Sequence, residues 1–226
     1  MYCYSGETPI DLTIDEEIIQ ILEQWRTVIF SDESRYCISN ADGRIRICRR
    51  QGELYADNCM MERDAWGGPS IMVWGGIGLN QKLGPVVFQN IGSVRGNGVN
   101  AARYTDQVLR PHVVPHSARH QNHTFQHDNA RAHTARGTRD FLHQNNITNM
   151  PWPALSTDLN PIKHLLDEIQ RKLNDVNPRP TTAVELQASF LQVWARIPMN
   201  FINRLIHSMD MRCRAVINVN GGHTRY

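Results

Sequence analysis

Asp32 and Asp128 are the residues of this sequence whose types and spacing suit shared chemistry. Asp128 lies in the stretch TFQHDNARAHT, residues 124–134, where a short run beginning Thr-Phe reads as a strand delivering a carboxylate to a polar loop with Asn129, Arg131 and His133. Asp32 lies in TVIFSDESRY, residues 27–36, where an apolar, β-rich run ends at Ser31-Asp32-Glu33-Ser34 and sets a second carboxylate at a strand tip. A lone aspartate at such a place is ordinarily a turn former, bonded to the backbone just beyond it. Two that converge are different, because they repel one another and raise a pKa unless a cation sits between them. Hard divalent cations with oxygen ligands, Mg²⁺ or Mn²⁺, suit that position. Two such ions about 4 Å apart activate a water or hydroxyl and stabilise the leaving oxygen of a phosphodiester.

The elements that must position these residues follow from periodicity and punctuation. Residues 12–25 carry Thr13 as an N-cap, acids in the first turn and apolar residues at helical spacing, which predicts a short amphipathic helix before the Asp32 strand. Arg44 to Arg50 alternates basic and apolar residues as a half-buried strand does. Residues 53–69 are polar and end in Trp66-Gly67-Gly68-Pro69, a strong breaker, so they read as a long surface loop. The apolar run at 71–79 predicts a central strand, and residues 85–89 another short one. A helix is expected over 100–114, stopped near Pro111 or Pro115, and a third over 134–146. Residues 147–150 read as a fifth strand. Asn160 and Pro161 then cap and open a helix over 162–173, and two further helical patterns cover 182–197 and 200–219.

Composition narrows the class. At 226 residues, 41% hydrophobic and 20% charged, the chain suits one well-buried domain. The net charge of +2 does not announce a nucleic-acid binder, but arginine supplies nearly all the positive charge. Arg44, Arg46, Arg49 and Arg50 form a local basic cluster that serves either phosphate or a solvated strand face. Five cysteines without a CxxC argue against a disulfide framework and a zinc ribbon, and fit a reducing compartment. No apolar run approaches the roughly 20 residues of a membrane span, and no secretory signal opens the chain, so a soluble intracellular protein is expected. His112, His116 and His120 recur every four residues, as do His123 and His127. With Pro115 among them and no cysteine nearby, they read as solvated loop histidines.

With one of the four strand candidates before residue 100 left out of the sheet, three strands, then helix, strand, helix, strand and helix is the order of the ribonuclease H-like fold, an α/β architecture with a central mixed sheet of about five strands flanked by helices. There the first and fourth strands are neighbours, so Asp32 and Asp128 converge. The chain resembles the catalytic domain of Tc/mariner-type DNA transposases of the DDE superfamily. The resemblance rests on VIFSDES (28–34), SIMVWGGI (70–77), HDNARAHTA (127–135), WPALSTDLNPIKHLLDEI (152–169) and AVINVNGGHTRY (215–226). It implies metal-dependent cleavage of transposon ends and strand transfer to target DNA. It also implies Mg²⁺ or Mn²⁺ held by Asp32 and Asp128, a nuclear location, and His133 beside the site, where it is equally suited to bonding the loop. The expected division is a helical lead-in at 1–26 and the catalytic domain at 27–226, without the family's helix-turn-helix modules that read transposon ends.

One departure is decisive for activity. In the family, an acid follows the second aspartate after 34 intervening residues, and here that count ends on Lys163. An ammonium repels a divalent cation and can pair with Asp32 and Asp128 in its place, so a crippled site is expected. Among neighbouring acids, Asp158 reads as a turn or capping residue. Asp167 lies about 6 Å along the helix on Lys163's face, while Glu168 points roughly 140° away. Weak, nonspecific contacts to DNA phosphates fall to Arg44, Arg46, Arg49, Arg50 and Arg131. The loop at 49–69 suggests a homodimer, because related transposases carry a dimer-forming insertion there. The alternative is a non-catalytic DNA-binding or interaction module domesticated from a transposon.

Overall fold

A computed structural model describes residues 24–38, 69–88, 99–154 and 156–219. The strand expected over Arg44 to Arg50, with Arg44, Arg46, Arg49 and Arg50, lies outside the described residues, as does nearly all of the helix expected over 12–25.

Strands β1 (Val28–Cys37), β2 (Ser70–Gly78), β3 (Gln81–Phe88) and β4 (Thr124–Gln126) form a mixed sheet in the order β3-β2-β1-β4. β2 pairs antiparallel with β1 and β3, whereas β4 runs parallel to β1 in the register Phe30↔Gln126. The hairpin between β2 and β3 turns at Leu79 and Asn80, with Asn80 in the left-handed region at φ 57°. The expected fifth strand is reduced to one parallel bridge, Phe125↔Asn149, held by two backbone bonds of 2.8 Å. Pro151 follows and brings no N–H to extend the ladder.

Alternation along β1 feeds two cores. Val28, Phe30 and Tyr36 pack with Ile162, Leu165, Ile169, Phe190 and Trp194 on one face. Ile29 packs with Trp74, Tyr104, Val108, Leu109 and Phe125 on the other. The first layer is built from α6 (Pro161–Asn174), α7 (Ala183–Arg196), α8 (Met199–His207) and α9 (Met209–Asn218). The helical pattern read over 200–219 is therefore two helices that meet at Ser208.

The second layer contains α1 (Ala101–Tyr104), α2 (Thr105–Val113), α3 (Val114–Arg119), α4 (Arg131–Thr134) and α5 (Arg136–Gln144). Here the expected stop at Pro111 or Pro115 is incorrect, because α1, α2 and α3 run on continuously to Arg119. The α2 segment is π-helical and contains Pro111, and its shifted bonding accommodates a residue without an N–H. Pro115 follows closely on that segment, where the Val114 N–H still bonds to the Leu109 carbonyl in the shifted register.

Candidate functional site

β1 carries Asp32 toward the α6 layer and Glu33 toward the α1 layer. Asp32 is in the interior of β1 rather than at its tip, since antiparallel pairing with β2 persists to Cys37↔Ser70. Its exposure to the site comes from the neighbour on the other side. Parallel pairing with β4 ends at Phe30↔Gln126, so β1 continues past β4 and Asp32 stands where that neighbour is lost. Asp128 is two residues beyond the end of β4, and its charge reaches Asp32.

α6 supplies the third member. Asn160 caps it by accepting from the Ile162 N–H at 3.4 Å, while its own amide donates to the Ser31 carbonyl at 3.2 Å. The residue that caps the helix thus also ties it to β1 beside Asp32. Lys163 is the third residue of α6, and its Nζ lies 2.6 Å from Asp32 Oδ2. Asp32 is 6% exposed. Burial, above all, pushes its pKa from 3.8 up to about 6, against the pull of Lys163 and with added repulsion from Glu33 and Asp128. Desolvation therefore costs the carboxylate more than the ammonium returns.

Asp128 is set differently. Its Oδ1 accepts from His133 Nδ1 at 2.7 Å and from the Ala130 N–H at 2.9 Å. The His133 bond, more than any other influence, draws its pKa down to about 2. His133 is buried at 3% exposure. Burial opposes its charge, but hydrogen bonds to Asp128 and Glu33, with their charges, carry its pKa up to about 10. Its other nitrogen, Nε2, lies 3.2 Å from Glu33 Oε1.

His127 is not a solvated loop residue. It is buried, its Nδ1 is 3.0 Å from the Tyr104 hydroxyl, and its ring stacks on His133 at 4.7 Å. Burial foremost holds its pKa down at about 3. The rings of His116, His120 and His123 gather within 5.2 Å of one another at the end of α3. Among the described residues, no group of three His, Cys, Asp or Glu side chains is arranged to hold a metal ion.

The structure thus brings Asp32, Asp128, Lys163 and His133 together. Arg131 begins α4 and is exposed. Asp158 sits in the short turn Thr157–Leu159, its carbonyl accepting from the buried Arg212 at 2.8 Å, and Asp167 is exposed one turn along α6. Glu33, Tyr104, Arg212 and the bond from Asn160 to Ser31 belong to the site without a local mark in the sequence. Strand alternation gives the face on which Glu33 lies but not its partner 100 residues away.

A divalent cation fits only part of this arrangement. Asp32 and Asp128 offer the hard oxygens it needs, but Asp32 Oδ2 already faces an ammonium at 2.6 Å. An ammonium on that oxygen repels an incoming cation, so Mg²⁺ or Mn²⁺ does not fit the residues as they stand.

Residues 27–187 match the family described as DDE superfamily endonuclease. The chain is 32% identical over 207 residues to the Tc1 transposase of Caenorhabditis elegans, covering 90% of this chain and 72% of that one. The chain belongs to the Tc/mariner DDE transposases. It is a transposase domain of the DNA-transposition class. Its fold is that of the Mos1 transposase catalytic domain solved with raltegravir and Mg, at a TM-score of 0.66 and 20% identity, covering 92% of this chain and 90% of that one. The Mos1 mariner paired-end complex with Mn gives a TM-score of 0.67 at 20% identity, covering 100% of this chain and 68% of that one. No described helix is long and apolar enough to cross a membrane.

Proposed function

We propose that this domain descends from a metal-dependent DNA-cleaving and strand-transferring enzyme, and that Lys163 has crippled its catalysis. Asp32 and Asp128 are the two carboxylates that held the catalytic cations. The observation that carries this reading is the Lys163 to Asp32 ion pair of 2.6 Å, which puts a fixed positive charge on the oxygen a cation would need. The domain's remaining capacity is contact with DNA through phosphates, for which Arg131 and the cluster Arg44, Arg46, Arg49 and Arg50 are the candidates. Arginine forks suit phosphate oxygens, and binding of this kind is nonspecific and falls steeply with salt. The Mos1 paired-end assembly supports a DNA-bound homodimer, and DNA as the partner supports a nuclear location.

Asp158 and Asp167 do not replace the missing acid in this reading. Asp158 is in the turn whose backbone Arg212 anchors, and Asp167 is a turn of helix away on an exposed surface.

The test is DNA nicking on a transposon-end duplex. The unmodified protein is expected to release no product with Mg²⁺ or Mn²⁺, whereas Lys163→Glu regains at least metal binding. Robust cutting by the unmodified protein would sink the proposal.

A further inference from the structure

Glu33 has a place in the molecule that the site as described does not use. It projects from β1 on the face opposite Asp32, toward Tyr104 and His133. His133 joins it to Asp128, with Nε2 at 3.2 Å from Glu33 Oε1 and Nδ1 at 2.7 Å from Asp128 Oδ1. Nδ1 also lies 3.1 Å from the Asp128 carbonyl oxygen. The two contacts leave the ring from different edges, so His133 cannot move to improve one carboxylate contact without loosening the other.

The ring is confined in its remaining directions as well. Tyr104 lies against it at 4.3 Å and His127 stacks on it at 4.7 Å with 6° between planes, and the two are bonded to each other. Thr138 Oγ1 donates to the Ala132 carbonyl at 2.6 Å, which pins the backbone next to His133. Asp128 Oδ1 therefore meets a fixed donor, and with the Ala130 N–H at 2.9 Å it is fully committed. Of the two carboxylate oxygens, Oδ2 is the one left for anything entering the site.

We propose that Glu33 is a positioning residue. Held by β1, it fixes His133 from behind and so orients the Asp128 carboxylate, with no bound ion needed to do so. A carboxylate that steadies an imidazole, which in turn steadies a functional group, is a recurrent arrangement, and loss of the outer member is felt at the inner one. The proposal rests on Asp128 belonging to the site, but its test uses neither metal nor DNA, so it can fail while the nicking result stands, and the reverse.

The experiment is solvent exchange of the His133 ring N–H protons, followed by nitrogen-edited NMR. Glu33→Met keeps the volume and removes the acceptor, whereas Glu33→Gln keeps an acceptor oxygen. In Glu33→Met, the Nδ1 proton, which faces Asp128 and not Glu33, is expected to exchange at least about tenfold faster, the order of magnitude that losing a hydrogen bond to a charged group is worth. In Glu33→Gln it should stay within about threefold of the unmodified protein, since the contact is retained. Faster exchange confined to Nε2 in Glu33→Met would show that Glu33 bonds that nitrogen without steadying the Asp128 contact, and overturns the proposal. A tenfold acceleration at Nδ1 in Glu33→Gln overturns it too, independently of how Glu33→Met folds.

Discussion

The three charged side chains nearest Asp32 act on it in opposite senses, and burial decides the outcome. Lys163 favours the carboxylate, whereas desolvation, the largest influence, and the charges of Glu33 and Asp128 disfavour it, so its pKa stands at about 6. His133 shows the reverse balance, because two carboxylate partners overcome the same desolvation and its pKa rises to about 10. The two histidines that stack on each other are thus in different states at neutral pH, His127 neutral and His133 charged. A stability consequence follows from linkage. The folded-state pKa of His133 lies above the ordinary 6.5, so its contribution is fully present below 6.5 and fades as pH rises toward 10. The unmodified protein should therefore exceed His133→Gln in unfolding free energy by a constant margin between about pH 5 and 6.5, where Asp128 is ionised, and by a shrinking margin between pH 7 and 10. Denaturant titrations of both proteins across that range measure it, and a margin that grows with pH would count against a charged His133.

At the scale of elements, β1 and α6 set the site, and the joints between them are specific. Asn160 is both the cap of α6 and a donor to Ser31, so the helix cannot slide along the sheet without breaking a buried bond. β2 contributes by yielding space. Gly75 pairs with Asp32 across the ladder, and a Cβ placed on it would lie 2.5 Å from the Trp194 ring of α7. That ring is buried and cannot swing aside cheaply. Gly75→Val is expected to destabilise the domain by about 1–3 kcal/mol, the range for overpacking a filled core, read as a lower urea midpoint. An unchanged midpoint would mean that α7 does not press on β2.

Much of this level was legible in the sequence, for stated reasons. The apolar runs of β1 and β2 and the Asn160-Pro161 start of α6 are local signals. What escaped was decided by tertiary contact. Asp32 looked like a strand end because the polar run Asp32-Glu33-Ser34 mimics a turn, yet pairing with β2 carries the strand through it. Pro111 looked like a stop, yet a π-helical segment absorbs it. His127 looked solvated, yet a buried tyrosine and a second imidazole receive it. Glu33 gave no local sign, since its partner comes from another element.

On the scale of the whole molecule, two helical layers close on one mixed sheet, and the site opens where β1 outruns β4. The chain's membership of the Tc/mariner transposases accounts for this arrangement. The domain differs from a cation-dependent fold in one respect, that the positive charge between its layers is covalently its own. α6 brings Lys163 to Asp32 as the domain folds, and under the proposed reading the folded state should then gain nothing from a divalent ion. Lys163→Glu exchanges that charge for a further oxygen ligand and makes folding and cation binding one linked equilibrium. At a cation concentration of about 100 Kd, linkage is worth about 2.7 kcal/mol. For a domain of this size that corresponds to a rise of roughly 5–10 °C in Tm.

Thermal unfolding with and without millimolar Mn²⁺ therefore tests the central claim most directly. The Tm of the unmodified protein should stay fixed while that of Lys163→Glu climbs by several degrees; an equal climb in the unmodified protein would contradict the claim that Lys163 holds the cation's place.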